Sequence, residues 1–131
     1  MYKLQPKGHF TVAHLDRQAV TYLAGLFRSV RFGATEAHGQ ANAIQFNFLR
    51  EREVIAYDAA AGRYRVDKQK FWGGVEELLR RILVLQAEGD YAAAQEMIRR
   101  YAVVPPELQQ ALARLDRVPV DIRPDFTLAA R

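Results

Sequence analysis

The 131-residue chain is 50% hydrophobic and carries seven Phe, six Tyr and one Trp, enough apolar content for one modest core and too little length for two ordinary domains. It has no cysteine, which excludes disulfides, thiolate metal sites and thiol nucleophiles and suits a reducing, cytoplasmic setting. The formal charge of +4 is dispersed in mixtures such as Arg50-Glu51-Arg52-Glu53, so neither a nucleic-acid partner nor a membrane span is expected, the latter needing about 18 consecutive apolar residues.

Tyr2–Gln5 and Phe10–Val12 read as two short strands joined by the turn Pro6-Lys7-Gly8, a small hairpin. From Asp16, a candidate N-cap, Ala19, Val20, Leu23, Leu26, Phe27 and Val30 recur at helical spacing up to Gly33, a candidate C′ residue. Thr35 is placed to cap a second helix with Ala37, Ala41, Ile44 and Phe48 on one flank and Ala43, Phe46 and Leu49 on the other, which predicts burial on more than one side. Val54–Tyr57 and Arg63–Val66 flank Asp58–Gly62 as a hairpin, and Asp67 is placed to cap the next helix.

That helix has the strongest periodicity in the chain, with Phe71, Val75, Leu78, Leu79, Ile82 and Leu85 expected to face inward. Gly89 stops it, and Asp90 opens a helix over Tyr91–Tyr101 with Ala94, Ile98 and Tyr101 inward. Pro105-Pro106 separates this from a last helix, Glu107–Leu115, and Val118–Arg131 reads as extended. The expected fold is a mainly α, compact domain of about five helices with one or two short β-hairpins, all within residues 1–131. The shared pattern Gly-x-aromatic-x-Val at Gly8–Val12 and Gly62–Val66 reads either as a duplication or as generic hairpin composition.

Zinc hydrolysis needs about three protein ligands, commonly two His on one helix plus a carboxylate, with a Glu to activate water. This chain has His9, His14 and His38 and no His-Glu-x-x-His or His-Glu-x-x-Gly-His, so no metal or other cofactor is expected. Ser29 has no nucleophile elbow around it, and Gly73-Gly74 lacks the Lys-Ser/Thr of a phosphate loop. The carboxylates Glu51, Glu53, Glu76 and Glu77 alternate with Arg or lie on solvated helix faces. Different in kind is Glu36–Asn47, where small residues alternate with Glu36, His38, Gln40, Asn42, Gln45 and Asn47. Such a helix either lines a polar cleft or presents a solvated face.

Tyr22–Gly33, Glu36–Ala43, Gly62–Asp67, Gln86–Tyr91 and Pro119–Pro124 together resemble the region that follows the zinc motifs in bacterial members of the dipeptidyl peptidase III family. The resemblance runs from residue 21 to residue 128, with residues 1–20 a divergent lead-in. It implies that His38 lines a substrate cleft and helps stabilise the oxyanion of peptide hydrolysis, with Glu36, Asn42 and Gln45 as substrate contacts. Eukaryotic members carry a basic residue where this chain has Asn42. The family's zinc motifs, His-Glu-x-x-Gly-His and a Glu-Glu helix, are expected upstream of Thr21, where this chain does not have them. Some bacterial relatives add a Nudix module, and no Nudix box occurs here.

An oxyanion-stabilising His without metal or water-activating Glu supplies one of several required catalytic elements. The resemblance therefore implies a non-catalytic cleft-wall domain, inactive as a peptidase alone. The alternative is a protein–protein interaction module or one subunit of a split zinc peptidase. Expected partners are a second copy of the chain, or a protein or lobe carrying the zinc site, and peptides. A second copy is expected to dock with twofold symmetry through Phe46, Phe48 or their neighbours, since a helix apolar on both flanks exposes surface in so small a chain.

Overall fold

A computed structural model describes residues 6–31, 33–115 and 117–119. Among these the elements are α1 (Val12–Val30), α2 (Ala37–Glu51), β1 (Ile55–Asp58), β2 (Arg63–Val66), α3 (Lys68–Glu88), α4 (Tyr91–Tyr101) and α5 (Pro106–Ala113). The fold is mainly helical, with one antiparallel hairpin in which Ile55 pairs with Val66 and Asp58 with Arg63.

The first helix starts earlier than its apolar pattern indicates. Thr11 is the N-cap, its hydroxyl accepting the His14 N–H while His14 Nδ1 accepts the Thr11 N–H, each at 3.3 Å. This capping box satisfies two donors at the helix start and overrides the extended reading of Phe10–Val12, because Val12 is already helical. Tyr2–Gln5 lie outside the described residues. Asp16, expected as the cap, instead lies 3.2 Å from Lys68 Nζ. With Val12 in a helix and Val66 in a strand, the two Gly-x-aromatic-x-Val segments do not share a conformation.

Helix α2 is the centre of the domain. Its N-cap is Glu36, one residue after the expected Thr35, and Gly39, Ala43, Phe46, Phe48 and Leu49 are buried against α1, the hairpin, α3 and α4. Phe46 and Phe48 are 1% and 0% exposed, so they are core residues and not the expected dimer contact. Ala37 and Ala41, expected on an apolar flank, are exposed. Phe46 forms edge contacts with Phe27 and Tyr64, with ring centroids at 5.8 and 5.3 Å, which fastens the hairpin to α1 and α2. Asn47 Nδ2 donates to the carbonyls of Tyr101 (2.8 Å) and Val103 (2.7 Å), closing the C-terminus of α4.

The charge run at the end of α2 ties elements together. Arg50 pairs with Glu107 of α5, Arg52 with Glu77 of α3 at 2.6 Å, and Glu51 with Arg100 of α4 at 2.7 Å. Glu53, at φ 55, occupies the left-handed position that ends the helix. Asp67 caps α3 through the Gln69 and Lys70 N–H groups. Gly89 at φ 65 and Asp90 make the expected break.

Three inward assignments are corrected. Leu79 is 54% and Ile98 44% exposed: they line an open cleft between α3 and α4, while Ile82 and Leu85, on the same helix as Leu79, pack against the core as expected. Val20, similarly, is 51% exposed on α1. The last helix begins at Pro106, where Pro at N1 is favourable, and ends before Leu115. Of the stretch expected to be extended, residues 120–131 lie outside the described residues. No helix of the described residues is long and apolar enough to cross a membrane.

Candidate functional site

The polar stripe of α2 is held in place by a close backbone crossing. Gly33, at φ 95, turns the chain away from α1, and the following loop lies across the first turn of α2. A Cβ at Gly39 would sit 1.8 Å from the Gly33 carbonyl oxygen, so only glycine fits. His38, Asn42 and Gln45 then follow at steps of four and three, which places them along one helical face.

Glu36 and His38 are exposed, and Asn42 and Gln45 are half-buried. Glu36 caps the helix through its backbone and makes no side-chain cap bond. The amides of Asn42 and Gln45 donate back to the carbonyls of His38 (2.7 Å) and Ala41 (3.1 Å). Gln45 also accepts from the Tyr22 hydroxyl of α1, and burial pushes that phenol up to about 12. At pH 7 Tyr22 is therefore a neutral donor that fixes the Gln45 amide. Tyr22 was not a sequence candidate, since its helical spacing marks it only as a flank residue.

Beside Gln45 the stripe opens into a cleft of about 740 Å³ lined by α1, α2, α3 and α4. Its walls are mainly apolar, including Ile44, Leu79, Ile82, Met97 and Ile98, with Tyr22, Gln45, Gln86 and Asp90 as polar groups. Glu36, His38 and Asn42 are not on this wall. The structure therefore joins Gln45 to the cleft and leaves the other three on the open helix start that adjoins it.

The remaining candidates have structural accounts. Gly74 is a close-packing position, where a Cβ would meet Val54 Cγ2 at 2.8 Å and Leu49 Cδ2 at 3.0 Å. His14 caps α1, and His9 and His14 share a shallow groove with Arg17. No group of three His, Cys, Asp or Glu among the described residues is placed to hold a metal ion, so these residues do not fit a zinc site of three protein ligands.

No family model matches the chain. Over 125 residues it is 42% identical to Nudix hydrolase 3 of Arabidopsis thaliana, covering 94% of this chain and 16% of that protein. Its fold is similar to DPP III from Caldithrix abyssi, with a TM-score of 0.90 and 40% identity over 98% of this chain and 25% of that one. The structure of dipeptidyl-peptidase III from Corallococcus sp. strain EGB matches with a TM-score of 0.85 and 38% identity over 98% and 24%. The chain thus has the fold of a dipeptidyl-peptidase III-like region and spans about a quarter of those solved chains and 16% of the curated relative.

Proposed function

We propose that this chain is a cleft-wall region of a dipeptidyl peptidase III-type zinc peptidase, non-catalytic by itself. The supporting observation is a fold match over 98% of this chain that reaches only 25% of the matched chain. The described part of the chain adds no zinc-ligand cluster of its own. In this reading His38 donates to the developing oxyanion, and Glu36, Asn42 and Gln45 contact the peptide. Zinc and the water-activating Glu come from the remainder of the lobe, which seats on the apolar cleft between α2, α3 and α4. The Nudix name belongs to a protein of which this chain matches 16%, and we assign the shared segment to the dipeptidyl peptidase III-like region, without Nudix chemistry.

The purified chain, assayed on dipeptidyl substrates with added zinc, is expected to retain substoichiometric metal after dialysis and to show no turnover. Chelator-sensitive hydrolysis by the chain alone would overturn the reading.

A second reading, an interaction module that binds a partner protein or itself, rests on the exposure of Leu79, Leu83, Val84, Tyr91 and Ile98. Exposed apolar side chains grouped on one pair of helices mark association sites when they form a patch. Light scattering across a dilution series separates the occupants: a dimer that Leu83→Glu dissociates is self-association, and a monomer throughout leaves the cleft to the missing lobe.

A further inference from the structure

On the side of α1 away from Tyr22 lies a second groove, of about 580 Å³, formed by α1, the turn of the hairpin and the region around the end of α5. Its chemistry is unlike that of the first. Leu23, Phe27, Leu115 and Val118 are among its apolar lining, and Arg28, Arg31, Arg63 and Arg114 line it too, with no carboxylate among its described lining residues.

Elsewhere in the described structure Arg50, Arg52, Arg65, Arg99 and Arg100 each pair with an acidic side chain, whereas Arg17, Arg80 and Arg81 stand apart on solvated helix faces without an ion pair. Among the described residues Arg28, Arg31 and Arg63 form no ion pair. The Asp58 carboxylate, the acidic group in electrostatic reach of Arg63, is taken by Arg65 at 2.7 Å and by the Ala61 N–H at 3.0 Å. Arg114 is held by a 2.9 Å bond from Nη1 to the Gly62 carbonyl. Gly62, at φ 60, would bring a Cβ to 2.9 Å from that same nitrogen, so the hairpin turn and Arg114 are fitted to one another and fix one rim of the groove.

From this juxtaposition we propose that the Arg28/Arg31/Arg63/Arg114 groove is a docking site for an acidic peptide segment with apolar side chains between its carboxylates. Guanidinium groups recognise carboxylates with directed, paired hydrogen bonds, and the apolar lining supplies burial that charge alone does not. An apolar segment without acids would leave four cations unmatched, and a purely acidic one would leave the floor uncovered. The groove shares no lining residue with the apolar cleft beside Gln45, so this site is independent of the peptidase reading.

The test is fluorescence anisotropy of the full chain with a labelled peptide of alternating Leu and Glu. Two control peptides accompany it, one with Gln in place of every Glu and one with Ser in place of every Leu. Binding of the Leu-Glu peptide is expected to weaken about tenfold or more for each control, and to weaken with added salt. The double variant Arg28→Glu/Arg31→Glu and the single variant Arg63→Glu, on separate elements, are each expected to lose about tenfold or more while melting like the parent. Equal binding of the Gln peptide, undiminished binding of the Ser peptide, or folded charge-reversal variants that bind like the parent would each overturn the proposal. If one variant fails to fold, the other and the peptide controls decide.

Discussion

Helix α2 and the outer half of α3 carry the same sequence signal, apolar side chains at helical spacing, and meet opposite environments. In α2, Phe46, Phe48 and Leu49 are buried within a ring of other elements. In α3, full burial ends at Leu78; beyond it Ile82 and Leu85 are half-buried against the core, and Leu79, Leu83 and Val84 are 54%, 54% and 44% exposed. Periodicity reports which side chains favour burial. Whether they are buried depends on what else is present to pack against them. Among the described residues that second condition is met in full around α2 and only in part along α3, where Ile82 and Leu85 pack against the core and Leu79, Leu83 and Val84 do not.

The contrast can be broken first at α2. Phe48 is fully buried, with the Tyr101 ring 5.6 Å away and the Arg52 guanidinium carbon 3.4 Å from its ring centroid. Phe48→Ala is expected to cost about 3–5 kcal/mol in urea unfolding, from lost transfer energy and the cavity left behind. A cost under about 1 kcal/mol, the range typical of surface substitutions, would mean that α2 is not the centre of the core.

Next in size is the helix start. Gly39→Ala places a methyl against backbone atoms of Gly33, which cannot rotate aside as a side chain would. Overpacking of this kind costs about 1–3 kcal/mol. The substitution also displaces the loop that sets the first turn of α2, and with it His38. Unchanged stability would show that the loop does not rest on α2.

The ion pairs around the end of α2 predict a smaller, pH-dependent term. The bond from Arg52 holds the Glu77 carboxyl below its ordinary 4.5. Burial pulls the Glu51 carboxyl upward, but hydrogen bonds from Arg100 and Tyr101, with the charges of Arg100 and Arg52, outweigh it and lower its pKa. Glu107 is lowered by its own backbone N–H, with Arg50 adding to the effect. Folded pKa values below the unfolded ones stabilise the domain above pH 4.5, and this contribution is lost as pH falls through the lowered values. These side chains are largely solvated, so screening limits each to a few tenths of a kcal/mol, about 1 kcal/mol together. Glu77→Gln should reduce the loss of stability between pH 6 and pH 3, and an identical acid profile would show that the Arg52 pair contributes nothing.

Much of this was legible in the sequence. The hairpin, the Asp67 and Asp90 caps and the Gly89 stop are local decisions made by neighbouring residues, and each is found where its residues indicate. The start of α1 was not, because a His stands in the third position of the capping box, where Glu or Gln is the usual signal. For the candidate site, the helix bearing Glu36, His38, Asn42 and Gln45 was legible as small-and-polar. The Tyr22 partner of Gln45, 23 residues away, and the cleft beside it were not, since both depend on how α1, α3 and α4 pack around α2.

The smallest expected effect is the one that sharpens the comparison most. On periodicity alone Leu79 belongs to the inward face of α3, and Leu79→Ala would cost about 2–5 kcal/mol, as buried leucines do. With the side chain 54% exposed on the wall of the apolar cleft, the isolated chain should lose no more than about 0.5 kcal/mol, the range of surface substitutions. The measurement is a urea midpoint at two protein concentrations well apart. A cost of several kcal/mol at both would mean that the outer half of α3 is covered within the monomer. If the cost appears only at the higher concentration, a second copy is the cover, because mass action then links folding to association. A small cost at both leaves Leu79 waiting for a partner that the chain does not itself supply, and the same substitution should then weaken binding of that partner while barely moving the stability of the free chain.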